Sequence, residues 1–210
     1  MRALPCEGQT PRAPRLRALP RLAIFARAPV RGRVKTRLAQ VLGADAALAV
    51  YERLLAQTLV RLAPGLGQFD PEVWLEGTVP RARLQGFRVI PQPEGDLGTR
   101  MAAAFDAGVT ALVGTDIPSL TADYVDRALA ALTEADLVIG PVEDGGYCLI
   151  AMKAPHAQVF RGIPWSTPRV LSATLDAAQG LQLTVRLLEP LWDVDDAADL
   201  ERWRAERPRA

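Results

Sequence analysis

The sequence predicts an α/β fold in which a mostly parallel central sheet carries helices on both faces. Three observations predict it. Short apolar runs of strand length, such as "RLAIFA" from Arg21, "TALVGT" from Thr110 and "DLVIGP" from Asp136, recur along the chain. Stretches with apolar residues at three-to-four spacing separate them, and this alternation of periods is the mark of parallel strands joined by crossover helices. The length of 210 residues lets one domain bury about 70% of its unfolded surface, enough for a proper core.

The elements follow in order. "RLAIFA" is a buried strand, and "GADAALAVYERLLAQTLVRLA" is a long helix whose inward face includes Leu48, Tyr51, Leu55 and Leu59. "EVWLEG" and "FRVIPQ" are strands, a short helix lies near 99–107, and "TALVGT" is a strand. "TADYVDRALAALTEA" is a helix opened by Thr121 as N-cap. "DLVIGP" and "YCLIAM" are strands, the second just after a Gly-Gly turn. "TPRVLSATLDAA" is a helix with Pro168 in its first position, and a strand near 182–188 and a closing helix near 196–205 complete the domain. Residues 1–20 carry four prolines and several arginines without a sustained period, which reads as an unpacked extension; a single domain covers 21–205.

Composition narrows the function. Twenty-five basic residues against 24 acidic ones give a net charge of +1, no footprint for wrapping nucleic acid, so small partners are expected. Cys6 and Cys148 form no CxxC pair and His156 is the lone histidine, which argues against a zinc cluster or a disulfide framework. No apolar run reaches the ~18 residues of a membrane span and no signal-peptide core is present, so a soluble cytoplasmic protein is expected.

In such a sheet, ligands sit outside the carboxyl ends of the strands, and four loops there carry candidate chemistry. The first, "ARAPVRGRVKTRLA", holds Arg27, Arg31, Arg33, Lys35 and Arg37 with no acid among them. Cations at a helix start oppose its dipole, so a phosphate chain explains them better than a solvated basic turn does. Gly32 allows close backbone approach, and Lys35, one of two lysines in the chain, offers a compact ammonium. Val34 stands where a Walker loop needs glycine. The second loop, "GTDIPSL", places Asp116 just past a buried strand, with Pro118 fixing the backbone behind it. A carboxylate there suits magnesium or manganese bridging to phosphate; the ordinary alternative is a helix cap, a role Thr121 fills better. The third, "PVEDGGYCLI", sets Glu143 and Asp144 before two glycines, and Asp144 is expected to bind sugar hydroxyls or act as a base. The fourth, "LWDVDDAADL", has four aspartates; Asp196 and Asp199 suit a helix cap, while Asp195 or Asp193 is placed to meet Asp116 as a second metal ligand.

Taken together, "FARAPVRGRVKTRL", "QPEGDLGTRM", "VGTDIPSL", "EDGGYCLI", "IPWSTPRVL" and "DVDDAADL" resemble, in that order, a bacterial family of small nucleotide-diphospho-sugar transferases. Its members are known as selenium-domain-associated transferases or arsenosugar-biosynthesis glycosyltransferases. The resemblance covers about residues 21–203 and implies a Rossmann-like GT-A fold. It implies that Asp116 stands at the metal-binding DxD position, with Ile117 and Pro118 departing from that motif, and that Asp195 is the second metal ligand of a Mg2+ or Mn2+ site. It further implies a nucleotide-base loop at Gln92, Gly95, Asp96 and Gly98. An acceptor and sugar side is implied at Asp144, Gly145, Gly146, Trp165, Ser166 and Thr167, though an aromatic core contact and a helix cap account equally well for the last three. The expected activity is metal-dependent glycosyl transfer from a nucleotide sugar to a small acceptor, with Lys35, Asp116 and Asp144 catalytic. The rival activities are nucleotidyl transfer from a nucleoside triphosphate, resembling the molybdenum-cofactor and phospholactate guanylyltransferases, and nucleotide binding without catalysis.

Overall fold

Arg21–Arg27 forms β1, whose side chains alternate between two cores: Leu22, Ile24 and Ala26 enter one, Ala23 and Phe25 the other. A computed structural model describes residues 18–79 and 81–206; residues 1–17 of the expected extension lie outside the described residues. Pro20 already belongs to the fold, its carbonyl accepting a hydrogen bond from Asp70 N at 2.9 Å. After β1 come α1 (Thr36–Leu42) and α2 (Ala44–Arg61), then β2 (Asp70–Glu76), β3 (Arg88–Pro91) and α3 (Leu97–Asp106). β4 (Ala111–Val113), α4 (Ala122–Ala131), β5 (Leu137–Pro141) and β6 (Tyr147–Met152) follow, and α5 (Val170–Gly180), β7 (Val185–Leu187) and α6 (Ala197–Ala205) close the chain.

The seven strands are ordered β3-β2-β1-β4-β6-β5-β7. Only β6 runs antiparallel to its neighbours; its tight connection to β5 makes that pair a hairpin. Strand order reverses between β1 and β4, because the chain builds outward to β3 and then crosses back to pair β4 with β1. That reversal is where open α/β sheets leave a crevice at their carboxyl rim. The face with Leu22 and Ile24 is covered by α2 and α4 through Tyr51, Leu55, Tyr124, Val125 and Ala128. The face with Phe25 is covered by α3 and α5 through Met101, Phe105 and Ala178, with Phe160 stacked on Phe105. A third cluster joins Leu38, Ala47 and Leu54 to Trp192, Val194, Leu200 and Trp203, tying α6 and the segment before it to α1 and α2.

Helix ends follow the capping residues. Thr121 accepts from Tyr124 N at 3.2 Å and caps α4, and Asp96 accepts from Thr99 N at 2.8 Å and caps α3. Asp196 and Asp199 form a full capping box on α6; each such cap contributes about 1 kcal/mol. One expected start is corrected. Pro168 does not open α5, which begins at Val170 with Arg169 before it; Thr167 instead closes a turn, its hydroxyl donating to Pro164 O at 2.7 Å. The basic loop, expected to stand at a helix start, leads into α1, which is split from α2 at Gly43.

Cys148, on β6, is buried and donates to Gly140 O at 3.3 Å. Burial pushes its thiol up to about 12. A thiol whose pKa is raised on folding contributes stability that is full below the unfolded pKa near 9 and is lost as pH rises toward 12. Cys148 is expected to resist a thiol-labelling reagent at pH 8 in native protein and to react fully in denaturant; peptide mapping of labelled native Cys148 would contradict this burial. Among the described residues, no helix is long and apolar enough to cross a membrane.

Candidate active site

The loop after β1 delivers a lysine to the crevice. Val34 is buried and anchors the turn, and Lys35 adopts a left-handed backbone (φ 47°, ψ 50°) directly before α1. For an L-residue that conformation costs about 1–2 kcal/mol. The side chain offsets it. Lys35 Nζ lies 2.8 Å from Asp116 Oδ1 and 2.8 Å from Asp195 Oδ1, and only 4% of the side chain is exposed. Burial draws the ammonium down, but the two carboxylates outweigh it and hold its pKa above the ordinary value. The contact to Asp195 is a hydrogen bond; that to Asp116 is an ion pair, leaving Asp116 Oδ1 buried without a well-angled donor. Lys35, Asp116 and Asp195, separated by up to 160 residues, thus meet at one rim, where β1 and β4 diverge.

The segment from Leu191 to Asp195 crosses this rim in an extended conformation. Leu191 bridges to Val142, Leu191 N donates to Pro141 O at 2.9 Å, and Val194 N donates to Asp116 O at 3.0 Å. Trp192 and Val194 point into the third core cluster, so by the two-residue alternation of extended chain Asp193 and Asp195 face the other way. There Asp144, Asp193 and Asp195 each offer a carboxylate oxygen, all within 4.8 Å of one another. Burial first, then the charges of Asp195 and Asp144, raise the Asp193 carboxyl to about 7. Three crowded hard oxygen donors match what Mg2+ or Mn2+ takes from a protein. The two acids expected to share a metal, Asp116 and Asp195, are joined instead through Lys35, while Asp195 groups with Asp144 and Asp193.

Asp144 is aimed by its own loop. Its Oδ1 accepts from Gly146 N at 2.9 Å, and Gly145 turns the chain at φ 89°. A Cβ on Gly145 would stand 2.2 Å from Pro168 O, so no side chain fits there. Glu143, beside Asp144 in sequence, points away and pairs with Arg202 on α6 at 2.7 Å. Trp165 packs edge-on against Tyr147, with ring centroids 6.5 Å apart, and Ser166 follows with φ 63°. Gly98 lets α3 approach this wall; a Cβ there would meet Phe160 O at 2.8 Å and the Trp165 ring at 3.0 Å.

The remaining phosphate and base candidates occupy the same edge with varied partners. Arg27 pairs with Glu76 at 2.9 Å, Arg31 with Asp45 at 2.6 Å, and Arg37 stands 3.8 Å from Asp195 Oδ2. Arg33 is exposed and makes no ion pair among the described residues. Gln92 uses its amide NH2 on Trp74 O at 2.8 Å and Ala26 O at 3.2 Å, bridging the ends of β1 and β2. Gly95 turns the chain before Asp96, whose carboxylate caps α3. Two contributors escaped the sequence reading. Tyr51 on α2 donates to Arg27 O and accepts from Arg27 N, each at 2.8 Å, and so fixes where the basic loop departs. Arg100 on α3 pairs with Glu76 at 2.7 Å. Neither pairing has a local signal, because each joins segments brought together only by the sheet.

A parallel-dominated sheet with a reversal at β1/β4, a buried lysine between acids and an acidic cluster beside it make up the candidate site. The chain belongs to the bacterial family DUF2064, described as "uncharacterized protein conserved in bacteria", whose pattern matches residues 47–167, more than half of its length. It is 32% identical to a Desulfovibrio desulfuricans G20 protein assigned as a nucleotide-diphospho-sugar transferase; the match covers 87% of this chain and 85% of that one, with a TM-score of 0.79. It is 29% identical over 189 residues to the phosphoenolpyruvate guanylyltransferase of Chloroflexus aggregans, covering 83% of this chain and 93% of that protein. A Mycobacterium tuberculosis H37Rv protein solved in complex with manganese shares the fold at 14% identity, covering 90% of this chain and all of that one, with a TM-score of 0.50. These relatives place the chain among the transferases, in a family similar to those that handle nucleotide sugars and nucleotides.

Proposed function

We propose that this protein is a divalent-metal-dependent glycosyltransferase that takes its sugar from a nucleotide-diphosphate donor and passes it to a small acceptor. The observation that carries this reading is the buried Lys35 ammonium between Asp116 and Asp195, with Asp144 and Asp193 beside them. Asp144, Asp193 and Asp195 are the proposed holders of Mg2+ or Mn2+, with Asp116 in reach through Lys35. The ion would supply charge neutralisation on the departing diphosphate. Lys35 holds the same diphosphate from the protein side, and Arg33 and Arg37 extend the basic wall. Gln92, Gly95, Asp96 and Gly98 border the base, and Asp144 with the Trp165–Thr167 wall borders the sugar and acceptor. Catalysis then comes from placement and charge stabilisation fixed before the donor arrives.

Nucleotidyl transfer is the second reading. It is favoured by the match to nearly the whole length of a guanylyltransferase. Such an enzyme would join a nucleoside monophosphate to a phosphorylated acceptor and release pyrophosphate.

Incubation with Mn2+ and panels of nucleotide sugars and nucleoside triphosphates separates the readings. Release of nucleoside diphosphate from a nucleotide sugar supports glycosyl transfer, and pyrophosphate release supports the second. Binding of neither donor class with metal present rules out both. Asp193→Asn is expected to weaken Mn2+ binding by about tenfold or more, read by calorimetry, since it replaces one of three charged carboxylates with a neutral amide.

A further inference from the structure

Arg202 lies outside every motif above, yet it touches the residues that precede two of the clustered acids. Its Nη1 donates to Glu143 Oε2 at 2.7 Å and its Nη2 to Glu143 Oε1 at 3.2 Å, a two-pronged ion pair. The guanidinium carbon stands 4.2 Å from the centroid of the Trp192 ring, and Nε donates to Glu206 Oε1 at 3.3 Å. Glu143 immediately precedes Asp144, and Trp192 immediately precedes Asp193. One side chain on α6 therefore grips both strands of chain that carry the acidic cluster.

We infer that Arg202 is a positioning residue that holds Asp144 against Asp193 and Asp195, setting the spacing of the metal site. This rests on the reading of those three acids as metal ligands. The physical reason for a clamp is the repulsion among three carboxylates brought to one place. Three carboxylates within 4.8 Å drift apart unless something holds their backbones. Backbone hydrogen bonds close the turn itself, Gly145 N to Val142 O at 3.2 Å and Val142 N to Gly146 O at 3.1 Å, and tie it to the facing segment through Glu143 N to Leu191 O at 3.1 Å; the Arg202 side chain is a further brace between that turn and the segment carrying Asp193. Arg202 adds a planar fork that matches a carboxylate on one side and stacks on an indole on the other, a combination lysine does not reproduce. Arg202 and Glu143 are both surface side chains, 42% and 56% exposed, so their replacement leaves the core intact.

The test measures Mn2+ binding by calorimetry in wild type, Arg202→Met, Arg202→Lys, Glu143→Gln, the Arg202→Met/Glu143→Gln double variant and Asp193→Asn. Arg204→Met serves as control, since among the described residues the ion pair of Arg204 is with Glu201 on the same helix, at 3.6 Å. Arg202→Met is expected to weaken Mn2+ binding about tenfold, as loss of a group that orients a metal ligand does, with Arg202→Lys rescuing little of it. Glu143→Gln is expected to lose a similar factor, and the double variant no more than Arg202→Met alone, because both break one clamp. Unfolding midpoints should stay near wild type. If wild type binds Mn2+, Asp193→Asn loses it and Arg202→Met matches wild type or Arg204→Met, the clamp is wrong and the metal site stands. If wild type shows no saturable Mn2+ binding, the metal reading falls and the clamp falls with it.

Discussion

Lys35→Met is expected to lower kcat/KM for turnover of the nucleotide donor by about 10²–10³-fold, the loss seen when one preorganised charge donor to a transition state is removed. The reasoning starts from cost. A left-handed backbone and a nearly buried ammonium are both unfavourable alone, and the protein retains them at one residue between two carboxylates. A methionine keeps the volume and the apolar stem but no charge. Asp116 and Asp195 then face each other with only Arg37, 3.8 Å from Asp195 Oδ2, as a nearby cation; both carboxylates are more than a third exposed, so the stability cost is modest, about 1 kcal/mol. The informative quantity is the metal. Removing a cation next to an acidic cluster does not weaken attraction for Mn2+, so the variant is expected to bind Mn2+ at least as tightly as wild type while turnover collapses. Lys35→Arg is expected not to restore activity, because a planar guanidinium does not fit the slot that a compact ammonium fills at 4% exposure. Retention of kcat/KM within threefold in Lys35→Met, measured with the donor identified by the panel, would remove Lys35 from the site.

The same residues show what the sequence discloses about this molecule and what it withholds. Alternating apolar runs and helical periods locate the strands and helices, because each element buries its own face and so writes its own period. "LWDVDDAADL" goes further: with Trp192 and Val194 apolar and Asp193 and Asp195 acidic, two-residue alternation already places both acids on one side, and Asp196 with Asp199 carries the spacing of a capping box. The partners of those acids are harder to read. That Asp195 reaches Lys35 across 160 residues, that Glu143 turns to Arg202 across 59, and that Gln92 reaches Ala26 O across 66 depend on strand order, which no local pattern states. Glu143 and Asp144 look equivalent in sequence. The turn at Gly145, pressed against Pro168, sends one to α6 and the other to the rim.

Glu72→Ala is expected to destabilise the protein by about 3 kcal/mol, because it breaks a buried ion pair from one side only. Glu72 is 3% exposed on β2. Its two oxygens take hydrogen bonds from Arg21 Nη2 at 2.7 and 2.9 Å and from Arg21 Nε at 3.2 Å, and Oε1 also accepts from Trp74 Nε1 at 2.8 Å. Arg88 stands 3.6 Å away. Alanine leaves the Trp74 indole N–H buried without an acceptor, a penalty of about 1–3 kcal/mol, and frees Arg21, whose side chain is 26% exposed and recovers part of its solvation. For a domain of this size the midpoint of thermal unfolding should fall by about 6–12 °C. Glu72→Gln, which keeps an acceptor for Trp74, should fall less. The network sits near the amino ends of β1 and β2, whereas Lys35, Asp116 and the acidic cluster sit past the carboxyl ends of β1, β4 and β5. Stability and chemistry are therefore separable along the strands. Well below its midpoint, Glu72→Ala should bind Mn2+ as wild type does, with Lys35→Met showing the opposite profile, a near-native midpoint and lost turnover. Loss of Mn2+ affinity in folded Glu72→Ala would mean that the two ends of the sheet are coupled and that the rim is not the self-contained site its contacts describe.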